Sequence, residues 1–238
     1  MFCLVSIGTT IYAQDQVQTQ PQGQDEDKKI HYGAKIGGNL SKFTPQELKA
    51  GNVLGGSIGG FVNYKVMDYL TVQLEVLYMQ QGGKQYSTTN KDSLFSSVIK
   101  GENSMSRITL HNFEFPLLFK GTYPVSGAIH PYVILGPALG INFGATSYTT
   151  TIMQFNNGES STYSQRGPAG SYNYNTFQWG AYGGVGAEMK VSSYILSVDF
   201  RYRLGISSVE ANYDIDSYVR GIGNTRTNTF SITAGLGF

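Results

Sequence analysis

Leu70-Thr71-Val72-Gln73-Leu74-Glu75-Val76, bracketed by Tyr69 and Tyr78, alternates apolar and polar side chains without a break. Successive side chains of a β-strand point to opposite faces. Leu70, Val72, Leu74, Val76 and Tyr78 therefore share one face, and Thr71, Gln73 and Glu75 the other. A strand with lipid on one side and a closed polar interior on the other has this period of two. Working outward, seven more stretches repeat the pattern, at about 31–43, 53–65, 108–120, 131–143, 178–190, 194–204 and 230–238. The links between them alternate in length. Val66 to Asp68 and Val191 to Ser193 are tight and Gly121 to His130 is moderate, whereas Gly82 to Ser106, Gly144 to Asn175 and Gly205 to Arg226 are long. Transmembrane barrels have tight periplasmic turns and longer outer loops. The expected fold is all-β: an eight-stranded, antiparallel, transmembrane up-and-down β-barrel in the outer membrane, with both termini in the periplasm.

Composition agrees. Hydrophobic residues make up 40% and charged residues only 14% of the 238 positions, with 30 Gly and 17 Tyr. Only alternate residues of a barrel strand meet lipid, so a chain of this kind crosses the membrane with few apolar residues. Gly permits close backbone approach and strand coiling, and Tyr suits the membrane–water boundary. A soluble β-sandwich rich in Gly and Tyr is the alternative. The net charge of +1, with no basic stripe, argues against nucleic acid as a partner. No apolar run of about 18 residues follows the N-terminal segment, so no spanning helix is expected. Cys3 is the only cysteine, which excludes disulfides within the chain and cysteine-based metal sites.

Phe2 to Ile11 is mostly apolar, and Tyr12-Ala13 before Gln14 resembles a cleavage site. Residues 1–13 are read as the remnant of a signal peptide. Residues 14–29, Gln-rich, charged and aperiodic, are read as a disordered periplasmic tail. Residues 30–238 form the barrel domain.

Alternation is disturbed in two places. Ile108 and Leu110 share a face with Glu114 although Phe113, Phe115, Leu117 and Phe119 point to lipid. This implies a bulge near His111–Asn112, or a strand rising clear of the membrane. Pro116 and Pro137 each require local irregularity, because proline cannot donate to the ladder. Asn157-Gly158, between Thr146–Phe155 and Ser160–Gln165, is a strong hairpin signal. It predicts a strand pair protruding beyond the bilayer.

The inward face carries Lys35, Glu75, Glu114, Lys120, Glu188, Lys190, Asp199, Arg201 and Arg203. Side chains can fill the interior of eight strands, and buried charges must pair. Glu114, Glu188, Asp199, Arg201 and Arg203 are the candidate lumen ionic network. Its expected role is an ionic plug; a narrow ion path or a small polar ligand site are the alternatives. No catalytic site, cofactor or metal is expected. Nucleophilic catalysis needs a base and an orienting acid within reach. Of His31, His111 and His130, only His111 lies near the outer rim, with Asn112 and Ser106 close in sequence and no hydrolase signature around it. No two histidines have ligand-like spacing. Gly55-Gly56, Gly59-Gly60 and Gly183-Gly184 lie within strands and lack the Gly-Lys-Ser/Thr of a phosphate loop. Tyr64, Tyr69, Tyr78, Tyr123, Tyr194 and Tyr202 fit interface girdles. Tyr163, Tyr172 and Tyr174 sit in a polar loop suited to adaptable surface contact.

Several local motifs, in order, resemble the PorT-like outer-membrane β-barrel family. They are Phe113-Glu114-Phe115-Pro116-Leu117-Leu118-Phe119-Lys120, Pro131-Tyr132-Val133 with Leu135-Gly136-Pro137, Gly183-Gly184-Val185-Gly186-Ala187-Glu188, Arg201-Tyr202-Arg203-Leu204-Gly205 and Gly235-Leu236-Gly237-Phe238. The resemblance covers about His31 to Phe238. It implies an eight-stranded barrel delivered by a signal peptide and inserted by the outer-membrane assembly machinery, which reads a terminal aromatic residue. The founding member of that family acts in type IX protein secretion. The resemblance thus implies secretion-machine subunits as partners, alongside outer-membrane lipid, in a non-enzymatic structural or interaction role. A small pore or ligand-binding transport barrel is the competing expectation.

Overall fold

The computed structural model describes residues 29–44, 51–90, 99–169, 174–209 and 225–238. The signal remnant and nearly all of the N-terminal tail lie outside the described residues, as does Tyr172.

Every alternating stretch forms a strand. The elements are β1 (Ile30–Thr44), β2 (Val53–Met67), β3 (Leu70–Asn90), β4 (Ile99–Thr122), β5 (Ile129–Phe155), β6 (Ser160–Pro168), β7 (Phe177–Val191), β8 (Tyr194–Gly205) and β9 (Arg226–Gly237). All pairings are antiparallel, and β1–β2–β3–β4–β5–β7–β8–β9 close into a ring of eight when β9 returns to β1. Closure leaves no open sheet edge in the spanning part, as a hydrocarbon environment demands. The ninth strand, β6, lies outside the ring and pairs only with the upper part of β5.

Burial follows the sequence period. On β9, Ser231, Thr233, Gly235 and Gly237 are buried while Phe230, Ile232, Ala234, Leu236 and Phe238 are exposed to the surroundings. On β8, Asp199, Arg201 and Arg203 point inward and Val198, Phe200, Tyr202 and Leu204 outward. The polarity is inverted relative to a soluble protein: charged groups fill the centre and large apolar groups cover the outside. Aromatic groups mark both edges of the band. At the tight-turn end Phe238 packs between Tyr32 and Tyr194, with ring centroids 6.1 and 5.5 Å away. At the other end Tyr78, Phe113 and Phe143 cluster. Tyr69 and Tyr78 stand about nine residues apart, close to the ~9–11 residues of a spanning strand.

Three points differ from the sequence expectation. Most of Gly82 to Ser106 is strand, not link: β3 runs to Asn90 and β4 starts at Ile99, paired from Gly82↔Thr109 to Asn90↔Gly101. The expected strand pair Thr146–Phe155 and Ser160–Gln165 is present, but its first strand is an unbroken continuation of β5 that pairs with β4 as well as β6. β3, β4 and β5 have 21, 24 and 27 residues, so they rise well beyond the membrane band and, with β6, form a tall wall on one side of the outer rim. Alternation is weak there because neither face of the wall meets lipid tails or a lumen, so nothing selects apolar residues on one side. The Asn157-Gly158 hairpin does protrude, with Gly158 at φ +86° and its N–H donating to the Phe155 carbonyl at 3.1 Å.

The second difference is the bulge. The register slips between His111 and Asn112, but the extra residue is Phe143 of β5, between Asn142 (opposite Asn112) and Gly144 (opposite His111). Alternation along β4 is therefore unbroken, and Leu110 points inward. Its partners are apolar: Phe43, Leu110, Ala145 and Val209 form a buried cluster, with Ile108, Ala169 and Tyr174 against it, over the outer mouth of the lumen. Pro116 needs no bulge. It pairs with Ala138 on one side, and on the other the ladder skips from Leu74↔Leu117 to Leu77↔Glu114 at constant register. The third difference is Lys190, which is exposed beside the tight turn rather than inside.

Candidate functional site

The interior is filled in layers, each set by how far a residue lies from the tight-turn end. Nearest that end, Lys120 of β4 is paired with Glu188 of β7, and its Nζ sits 4.0 Å from the centroid of the Tyr132 ring.

The next layer gathers four charges from three strands. Lys35 of β1 contacts Glu75 Oε1 at 2.9 Å and Asp199 Oδ2 at 2.8 Å. Arg201 of β8 donates from Nη1 to Glu75 Oε2 at 2.7 Å and from Nη2 to Glu75 Oε1 at 2.8 Å, a bidentate pair. Its Nη2 also reaches Asp199 Oδ2 at 2.8 Å. Thr233 donates to Asp199 Oδ2 at 2.8 Å, the Tyr132 hydroxyl donates to Asp199 Oδ1, and Gln73 donates to Glu75. Tyr132 can lie there because residue 186 is glycine: a Cβ at that position would sit 2.5 Å from the Tyr132 ring.

One layer further out, Arg203 of β8 pairs with Glu114 of β4, Nη2 to Oε1 at 2.8 Å, and its Nε donates to Oε2 at 3.1 Å. Tyr182 and Gln81 each add a hydrogen bond to the Glu114 carboxylate at 3.1 Å. Met79, Leu118, Tyr132, Ile134, Ala138 and Tyr182 pack as a buried apolar cluster alongside these charges. Asn112 donates to Gln178 at 3.4 Å above it. The apolar cluster around Phe43 and Leu110 then covers the mouth.

Four cations (Lys35, Lys120, Arg201, Arg203) thus meet four carboxylates (Glu75, Glu114, Glu188, Asp199), and this set of lumen charges is balanced. Lys35, Glu75, Glu114, Asp199, Arg201 and Arg203 are each at most 4% exposed. Charges this far from water persist because every carboxylate is paired and hydrogen-bonded; one left alone would cost several kcal/mol (~3–5). Chemically, the arrangement braces strands against one another. It offers no reactive group with an open approach.

Of the five residues expected in the network, Asp199 and Arg201 share one cluster and Glu114 and Arg203 another. Glu188 belongs to neither; it lies at the tight-turn end on Lys120, with its side chain 24% exposed. Lys35 and Glu75, which sequence reasoning placed on the inward face without including them in the network, are the centre of the larger cluster. The tyrosine partners Tyr132 and Tyr182 were missed as ligands of carboxylates. Their inward parity was the available signal.

His111 is on the outward face. Its Nδ1 bonds the Tyr78 hydroxyl at 2.8 Å and its Nε2 lies 3.3 Å from Thr146 Oγ1, so hydroxyls, not an acid, flank the ring. Ser106 is engaged with Thr149 at 3.0 Å instead. Among the described residues no group of three or more His, Cys, Asp or Glu is placed to hold a metal ion.

The outer membrane protein beta-barrel domain family matches residues 13–211. The chain belongs to that family. It is an outer-membrane β-barrel protein, and its membrane is the outer membrane. Among solved structures it is similar to Neisserial surface protein A, at 15% identity and TM-score 0.38 over 87% of this chain and 95% of that one. It is also similar to Ail, the attachment invasion locus protein of Yersinia pestis, at 11% identity and TM-score 0.35 over 88% and 99% of the two chains. The N-terminal β-barrel domain of OprF from Pseudomonas aeruginosa shares 12% identity at TM-score 0.32 over 87% and 97%. Comparison with curated proteins finds no match.

Proposed function

We propose that this barrel is a closed, non-enzymatic component of the outer membrane that acts through surface contacts, its tall outer wall being the interaction surface. The observation that carries the proposal is the charge-balanced lumen. Arg201, Glu75, Lys35 and Asp199 tie opposite walls together with almost no exposure, which supports a plug and weighs against a pore or a lumen ligand site. The wall supplies what the lumen lacks: four strands standing clear of the membrane, with Tyr86, Tyr148, Ile152 and Tyr163 exposed on them. Exposed aromatic groups amid Ser, Thr and Asn suit adaptable contact.

The finer form of this reading is support of type IX protein secretion, with subunits of that machine as partners. It rests on the ordered motifs from Phe113–Lys120 to Gly235–Phe238. The deciding experiment compares proteins released to the medium by a deletion strain and its parent. Retention of type IX cargo in the mutant periplasm, reversed by restoring the gene, is the expected result. Unchanged release would remove the secretion role and leave the wall as the place to search for a different partner.

A further inference from the structure

The outward surface of the wall, just above the aromatic edge of the membrane band, collects positive charge. Strand register places Gln80 opposite His111 and His111 opposite Gly144, and two outward-facing positions higher Lys84, Arg107, Tyr148 and Arg166 stand in a row across β3, β4, β5 and β6. Alternation puts these groups on the outward face: Tyr78 and Phe113 below them face out, while Gln81, Gly83 and Leu110 between them face in. Below the row, beneath Thr109 and His111, lie Tyr78, Phe113 and Phe143, with the Phe113 and Phe143 centroids 4.9 Å apart. Such aromatic groups sit at headgroup level. The patch, from His111 up to Arg107, therefore begins at the depth of lipid headgroups in the outer leaflet, and its cations stand above that depth.

The patch is also concave. Gln80, Arg107, His111, Thr146, Tyr148 and Arg166 surround a hollow of about 480 Å³, inside the ~300–1,000 Å³ range of small-molecule sites. Part of its lining is held in place. The Arg107 guanidinium is held by donation from Nη2 to the Leu54 carbonyl at 2.9 Å, which leaves its other N–H groups to point elsewhere. His111 is held on both ring nitrogens by Tyr78 and Thr146. Among the described residues neither Arg107 nor Arg166 pairs with a carboxylate. Two guanidiniums, hydroxyls and an imidazole line the hollow with no acid between them, and Lys84 stands beside Arg107 in the same row. Arginine forks match phosphate oxygens in geometry as well as charge.

We propose that this hollow binds the phosphorylated headgroup of an outer-leaflet lipid, with Arg107 and Arg166 on the phosphate, Lys84 and His111 flanking it, and the acyl chains running down over Phe113 and Phe143. The position at the edge of the apolar band argues for a lipid source of the phosphate. A soluble anion would gain nothing from the aromatic shelf below.

The test is native mass spectrometry of the full-length protein in detergent micelles, titrated with lipid A, with dephosphorylated lipid A, and with inorganic phosphate. Lipid A should be retained at roughly tenfold lower concentration than its dephosphorylated form, the order that charge-assisted bonds supply. The R107A/R166A double variant should lose that preference while keeping the gel-mobility shift of a folded barrel. If that variant does not fold, Arg166→Glu alone, on the exposed strand β6, should abolish the preference. Equal retention of the two lipids, or a preference that survives either folded variant, would overturn the proposal. Inorganic phosphate binding as tightly as lipid A would overturn the lipid source.

Discussion

Arg201 and Glu75 face each other from diametrically opposite strands of the ring, β8 and β3, and close a two-pronged ion pair at 2.7 and 2.8 Å across the lumen. A single side-chain pair thus spans the full diameter of the barrel. Lys35 and Asp199 complete it, with Lys35 touching both carboxylates and Arg201 doing the same.

Removing one member should therefore act on stability before it acts on permeability. Arg201→Ala leaves Glu75 with Lys35 and Gln73 alone, and loss of one partner of a buried pair costs ~3–5 kcal/mol. Urea titration of the barrel in lipid vesicles should show the midpoint fall, and planar-bilayer recordings should show no new conductance. An open pore at unchanged stability would refute the plug.

The converse experiment removes both charges. Glu75→Gln with Arg201→Met leaves Lys35 and Asp199 as a balanced pair, and replacing a buried ion pair by groups of similar volume is close to neutral. The double variant should be more stable than either single variant in the same titration. A double-mutant cycle with no coupling energy would mean the two side chains do not interact as the geometry states.

Gly186 and Tyr132 should behave as one unit. Gly186→Val forces the ring away from Asp199, an overpacking of ~1–3 kcal/mol, whereas Tyr132→Phe removes a hydrogen bond to a charged group worth ~1.5–3 kcal/mol. The combined variant should lose clearly less than the sum of the two, measured by thermal gel-shift. Additive losses would separate the residues.

The cover over the mouth is a stability element and not the seal. Phe43→Ala should cost ~3–5 kcal/mol, as for other buried aromatic truncations. The layers of Glu114–Arg203 and Arg201–Glu75 remain beneath it, so bilayer conductance should stay at background. Conductance on loss of Phe43 alone would move the barrier to the rim.

The barrel itself could be read from parity, because lipid and lumen impose opposite chemistry on alternate residues of each strand. Leu74, Glu75 and Val76 announce their faces without any knowledge of neighbours. Which inward residues meet is another matter. Lys35 and Asp199 are 164 positions apart and come together only through the stagger of strands around the ring, a quantity alternation does not encode. Glu188 illustrates the limit: its face was legible, its height was not, and it pairs with Lys120 instead of the arginines. Leu110 shows a second limit: an apolar residue on the inward face of β4 looks like a slip of period, whereas the extra residue is Phe143 on the neighbouring strand and Leu110 joins an apolar cluster inside. The wall was half legible: Asn157-Gly158 announced the pair Thr146–Phe155 and Ser160–Gln165, whereas Gly82 to Asn90 and Ile99 to Ser106 alternate little, having neither lipid nor lumen to distinguish their two sides.

That wall breaks the rotational sameness of the ring. β3, β4, β5 and β6 stand tall over one arc while the described parts of β7, β8, β9, β1 and β2 stop near the rim. A cylinder that would otherwise look alike from every direction in the plane of the membrane thereby acquires a front and a back. A neighbour approaching sideways meets either a raised screen or a low sill, and so the barrel carries a compass bearing that any two-dimensional assembly around it must respect.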